Sequence, residues 1–256
     1  MFDNMSVEDK QTIIEHLEDL RKALIISFAA LIIAAFVCFY YSEQILAVIT
    51  LPLRSLNQKM IVTGVTEAFF VKLMLSLYAG LVVSFPVVSW ALWGFVKPAL
   101  YPSERKYVYI FFPVSILLFV GGVLFSYFGI LQLVLNFFIY IGGANLTPMF
   151  KVDQYVSFVT AFTLPFGIVF EMPVVVFVLT KLGFIRYEML TKNRKYALLI
   201  IVIAAAALTP GPDPFSQMMM AGPVYLLYEI SIIVSKYTTK SKGRRDAQEG
   251  GNANKS

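Results

Sequence analysis

Few side chains in this sequence can do chemistry, and most of those are carboxylates. His16 is the sole histidine and stands in Glu15-His16-Leu17-Glu18-Asp19-Leu20-Arg21, ahead of the first apolar run. No apolar segment carries a second base, so neither a serine–histidine nucleophile nor an intramembrane metal site can be assembled. No glycine-rich phosphate loop occurs. The sole cysteine, Cys38, lies in an apolar run, which excludes a disulfide framework and points to packing. The expectation is therefore a protein that is not an enzyme and uses no cofactor or metal. Its energy should come from an ion gradient or an external partner.

Three acidic features remain. In the first, Ser6 and Asp9 have capping-box spacing, and Ile13, Leu17, Leu20 and Leu24 recur at helical spacing. This predicts an amphipathic helix leading into the first apolar run. Glu15 and Asp19 share one face with Glu18 beside them; the plain alternative is a solvated face with an ordinary Glu18–Lys22 pair. The second is Phe95-Val-Lys-Pro-Ala-Leu-Tyr-Pro-Ser-Glu104-Arg-Lys, a connection stiffened by Pro98 and Pro102. Here Ser103 can cap the next helix, with Glu104 favoured in its first turn by the helix dipole. The third is Glu171, near the middle of an apolar run. A carboxylate there costs several kcal/mol unless protonated, paired or hydrated, so it is either a functional site or an acid hydrogen-bonded across helices.

The elements that must position these residues are set by hydrophobicity. Hydrophobic residues make up 58% and charged residues 14% of 256 positions. Soluble domains run at roughly 45–50% and about 25%. The excess exceeds what one core can bury and must face lipid. Apolar runs at about 24–41, 68–93, 107–135, 154–181, 196–208 and 215–235 predict six transmembrane helices, since period-two alternation is absent. The predicted fold is an all-α membrane protein, with residues 1–238 forming one domain and 239–256 a disordered tail rich in Lys, Arg, Gly and Asn.

Orientation follows from the basic residues. Lys10, Arg21, Lys22, Lys97, Arg105 and Lys106 fall on one side. So do Lys181, Arg186, Lys192, Arg194, Lys195 and the basic tail, whereas Arg54, Lys59 and Lys151 fall on the other. The positive-inside rule then makes both termini cytoplasmic. The net charge is +5, but no basic stripe with interleaved aromatics suggests nucleic acid.

Spans five and six are expected to be short. The fifth ends at Thr209-Pro-Gly-Pro212, and the sixth begins after Pro214 and contains Gly222-Pro223. An apolar stretch of about a dozen residues covers roughly 18 Å of about 30 Å of hydrocarbon. Covering its polar end with a partner helix relieves that mismatch, and Gln217, one turn from Asp213, offers the hydrogen bond. The alternative is that Gln217 bonds within its own bundle. Gly80-Leu-Val-Val-Ser-Phe-Pro-Val-Val and Gly167-Ile-Val-Phe-Glu-Met-Pro-Val-Val also echo each other weakly.

Together these motifs resemble the TatC family of the Sec-independent, twin-arginine protein translocase. His16-Leu-Glu-Asp-Leu-Arg21 is similar to its N-terminal motif, and Phe95 to Lys106 to its first cytoplasmic loop. Phe166-Gly-Ile-Val-Phe-Glu-Met-Pro173 resembles the fourth-span motif and Leu208-Thr-Pro-Gly-Pro-Asp-Pro-Phe-Ser-Gln217 the last periplasmic turn. They occur in order across roughly residues 7–238. One departure is Asp19, where the family usually has glutamate.

The resemblance implies a cup-shaped bundle in the cytoplasmic (inner) membrane. It implies a receptor and core subunit that binds twin-arginine signal peptides and exports folded proteins, driven by the proton gradient. The implied binding residues are Asp19, Leu20, Arg21, Phe95, Leu100 and Glu104. Glu171 is the intramembrane polar position, Gln217 and Asp213 bind partners, and Pro52 and Pro86 are structural. The implied partners are the single-span subunits TatA and TatB, membrane lipid and further copies in a multimeric receptor complex. From the residues alone, an ion-coupled secondary transporter with Glu171 as its proton site stays open.

Overall fold

The structure, a computed structural model, describes residues 7–56, 58, 60–100, 105–142, 149–209 and 213–253. Its elements in chain order are α1 (Val7–Tyr40), α2 (Ser42–Ile49), α3 (Leu51–Ser55), β1 (Met60–Ile61) and α4 (Glu67–Val96), the last continued by a 3-10 turn at Lys97–Ala99. Then come α5 (Lys106–Phe125), a π-helical turn at Ser126–Ile130, α6 (Leu131–Gly142), β2 (Phe150–Lys151) and α7 (Val152–Phe170). The chain closes with α8 (Met172–Leu182), α9 (Tyr187–Lys192), α10 (Arg194–Leu208) and α11 (Pro214–Ala253).

Among the described residues, five helical segments are long and apolar enough to cross a membrane: His16–Tyr40, Glu67–Val96, Lys106–Ile141, Val152–Leu182 and Pro214–Thr239. Only 17–33% of the most apolar stretch of each is buried inside the chain, so their outward faces are built for an apolar solvent. The remaining apolar helix, α10, has 15 residues and is about 22 Å long at 1.5 Å per residue. The expectation of a short fifth run is thus met in length.

The expectation of a short sixth run is corrected. Gly222-Pro223 does not stop α11, whose apolar part Pro214–Thr239 has 26 residues. A proline removes one ladder hydrogen bond, which an apolar helix tolerates when its neighbours pack around the gap. Beyond Thr239 the same helix continues to Ala253. The amphipathic N-terminal helix and first span are likewise one helix of 34 residues. Ser6, the expected cap, lies outside the described residues.

By its contacts the chain divides into two compact units, Met1–Thr50 with Gly64–Ile116, and Leu51–Thr63 with Leu117–Ser256. In the first unit α1 packs antiparallel on α4. A Cβ at Gly80 would come within 2.7 Å of the Ala35 backbone nitrogen, so glycine is what permits this approach. Phe39 meets Phe69 edge-on at 6.5 Å, and Lys72 Nζ reaches Glu43 Oε1 at 2.9 Å, anchoring α2 beside α4. Trp90 and Trp93 contact Phe112 and Phe111, holding α4 to the start of α5.

The second unit is centred on Ile130, Val134, Phe162, Phe166, Ala205 and Met220. Here α5 and α7 cross closely. A Cβ at Gly122 would sit 2.6 Å from the Phe166 carbonyl oxygen, and one at Gly167 would sit 2.8 Å from the Phe119 ring. A parallel two-strand pairing, Met60 with Phe150 and Ile61 with Lys151, ties together two connections. Thr180 and Ser235 hydroxyls bond at 3.0 Å between α8 and α11.

Candidate functional site

In the first unit the start of α1 and the end of α4 converge. His16 stacks on Phe95, with centroids 4.3 Å apart and planes at 18°. Asp19 lies three residues beyond His16, so the two share one helix face. Asp19, Leu20 and Phe95 are half-buried, while Arg21 is exposed. Leu100, which follows the 3-10 turn, is 5% exposed, so it anchors that turn in the core and presents little surface to a ligand. Lys97 donates to the Tyr109 hydroxyl at 3.0 Å and lies over its ring.

Two neighbouring carboxylates on α1 behave differently. Glu18 pairs with Lys22 at 3.1 Å on the surface, as the plain alternative foresaw; such a helix pair contributes about 0.3–0.5 kcal/mol. The Asp19 carboxylate has no hydrogen-bond or ion-pair partner among the described residues. A carboxylate in this position can accept charge-assisted hydrogen bonds from a cationic donor. Glu104, the other expected carboxylate, lies outside the described residues.

The expected residues of the second unit take several roles. Glu171 is half-buried at the joint between α7 and α8, with φ −73° and ψ −13°. Its carbonyl accepts from Val174 and Val175 N–H while Pro173, two residues on, offers no donor, so the fourth apolar segment is two helices hinged at this carboxylate. Asp213 is the cap of α11: its Oδ2 accepts the Ser216 N–H at 2.7 Å. Gln217 donates from Nε2 to the Val202 carbonyl of α10 at 3.0 Å, the intramolecular bond of the alternative reading. Pro52 is buried in α3, whereas Pro86 lies within α4 and is exposed.

Two charged residues matter that sequence reasoning passed over. Glu229, inside α11, accepts from Arg194 Nη2 at 2.8 Å and from the Tyr225 hydroxyl at 3.0 Å. Tyr228 donates to the Leu190 carbonyl at 2.7 Å, so one stretch of α11 fixes both α9 and α10. The signal was visible: a carboxylate within the run 215–235, with a tyrosine four residues before it. Lys181, counted with a connection, is buried in the last turn of α8.

Long helices with apolar exteriors, cross-linked by few polar contacts and carrying a polar cluster at one helix end, define a multi-pass helical membrane protein. Residues 15–223 match the family of the Sec-independent protein translocase protein TatC. The chain is 45% identical over 232 residues to TatC of Carboxydothermus hydrogenoformans, covering 90% of this chain and 96% of that protein. It is 40% identical over 235 residues to TatC of Aquifex aeolicus, covering 89% and 96%. A crystal structure of the twin-arginine translocase receptor TatC superimposes with a TM-score of 0.81 at 39% identity, covering 88% of this chain and 99% of that one. The chain belongs to the TatC family of Sec-independent protein translocase proteins.

Proposed function

We propose that this chain is the receptor and core subunit of a twin-arginine translocase, which binds twin-arginine signal peptides and exports folded proteins across the cytoplasmic membrane under the proton gradient. In this reading α10 is a short fifth span, which brings the total to six, and both termini are cytoplasmic, as the basic residues argue. The signal-peptide site comprises Asp19, Leu20, Arg21, Phe95 and Glu104, with Leu100 contributing by anchoring the turn that follows α4. The observation that carries the reading is Asp19, a half-buried residue whose carboxylate has no partner among the described residues, one helical turn from the His16–Phe95 stack.

A guanidinium offers two parallel donors to such a carboxylate, whereas a lysine ammonium offers a point charge. Leu20 and Phe95 supply apolar surface beside it for the signal's hydrophobic part. TatA and TatB dock along α10 and the start of α11 near Gln217, and several copies of the chain assemble into one receptor. Glu171 lies at a hinge where a deeply inserted signal could meet it. Family membership now stands in place of the ion-coupled transporter alternative.

The test is binding of a labelled twin-arginine signal peptide to the purified chain. Binding lost when both arginines become lysines supports the reading. Equal binding of the two peptides overturns it.

A further inference from the structure

A groove of about 560 Å3 opens in the second unit, and apart from Asp213 its lining belongs to none of the residue sets assigned above. Phe138, Phe158 and Met149 form apolar wall, while Lys151, Asp153 and Asp213 bring charge. Phe138 and Phe158 meet edge-on at 6.5 Å. The three charged residues are half-buried, and none forms an ion pair among the described residues, although they line the same groove. Among the described residues each carboxylate is engaged at one oxygen. Asp153 Oδ1 accepts the Gln154 N–H at 2.7 Å and Asp213 Oδ2 that of Ser216 at 2.7 Å, which leaves the second oxygens available.

The groove's level in the membrane follows from the helices that meet there. Lys151 immediately precedes the apolar segment Val152–Leu182, and Asp213 immediately precedes Pro214–Thr239. Phe138 lies in the last turn of Lys106–Ile141. Three apolar segments therefore begin or end around one groove, where hydrocarbon gives way to headgroups. The β1–β2 pairing, with Ile61 opposite Lys151, holds the lysine's backbone at that rim.

We propose that this groove binds a phospholipid with an ethanolamine headgroup. The phosphate meets the Lys151 ammonium, the lipid ammonium meets the free oxygens of Asp153 and Asp213, and an acyl chain lies against Phe138 and Phe158. The charge order decides among lipids. A phosphatidylglycerol headgroup offers the two carboxylates neutral hydroxyl donors but no cation, and charge-assisted hydrogen bonds are about twice as strong. A phosphatidylcholine headgroup has a cation but no N–H donor, and a carboxylate prefers a charged donor.

The experiment uses the full chain purified in detergent, with its unfolding midpoint and its retained lipid, by native mass spectrometry, as readouts. Added phosphatidylethanolamine should raise the midpoint and persist as a bound adduct more than phosphatidylcholine or phosphatidylglycerol. Lys151→Gln, and separately Asp153→Asn with Asp213→Asn, should each weaken apparent affinity by about tenfold. Asparagine keeps the amide oxygen that accepts the Ser216 N–H at the cap of α11 and the Gln154 N–H in α7, so the aspartate variants keep their folds. Equal effects of the three lipids overturn the proposal, as do variants that retain the preference. Soluble glycerophosphoethanolamine binding as well as the lipid would also overturn it, since the apolar wall would then contribute nothing.

Discussion

The imidazole of His16 stacks on the ring of Phe95 at 4.3 Å, tying the start of the first apolar helix to the last turn of α4. Because these two helices run antiparallel, this contact sets where Asp19 stands relative to the turn that leads towards Leu100. Stacked aromatic pairs contribute about 0.5–1.5 kcal/mol beyond buried area. Phe95→Ala should therefore lower the unfolding midpoint slightly and weaken twin-arginine peptide binding, while Phe95→Tyr keeps both. Peptide affinity and thermal unfolding of the two variants check this.

Asp19 and Glu18 are adjacent, but Glu18 pairs with Lys22 while Asp19 has no partner among the described residues. Losing a charge-assisted contact costs about 1.5–3 kcal/mol, so Asp19→Asn should weaken peptide affinity roughly tenfold to a hundredfold. Glu18→Gln should change it little. Fluorescence titration with one labelled peptide compares them directly, and an equal loss in both would reassign the role to the pair.

Within α4 two glycines have opposite surroundings. A Cβ at Gly80 meets the Ala35 backbone at 2.7 Å, whereas one at Gly94 meets nothing within 4 Å. Backbone cannot yield as a side chain can, so Gly80→Ala should destabilise by about 1–3 kcal/mol, as overpacking does. Gly94→Ala should be neutral or slightly stabilising through helix propensity. Unfolding midpoints in one detergent decide it.

Glu43 is held below the usual carboxylate range by its hydrogen bond to Lys72 and by that lysine's charge. A depressed carboxyl stabilises the folded state above its unfolded pKa and loses that contribution as pH falls through the folded value. Wild type should therefore exceed Glu43→Gln in unfolding midpoint at neutral pH, and the gap should close as the pH drops below the ordinary carboxylate range. High salt should narrow the gap too, since Glu43 is exposed.

Gln217 already donates to the Val202 carbonyl. Gln217→Leu removes that interhelical bond, worth about 0.6 kcal/mol by membrane precedent. It should loosen α10 from α11 and reduce cross-linking to TatA and TatB, with signal-peptide binding unchanged. Site-specific cross-linking from α10 reads the first effect and peptide titration the second.

The membrane class, the apolar segments, the shortness of the run at 196–208 and the family were legible in the sequence. Each follows from quantities local to a segment: its hydrophobicity, its length and the order of its motifs. What tertiary structure decided lies between segments. Which of Glu18 and Asp19 is satisfied depends on where side chains reach, and periodicity places them on one face without choosing. Gly222-Pro223 reads as a break, yet α11 runs through it because packing outweighs one missing hydrogen bond. That Asp213 Oδ2 caps α11 on the Ser216 N–H is likewise visible only in the folded chain. Glu229 was passed over because its partner, Arg194, lies 35 residues away, a separation that only the folded chain closes.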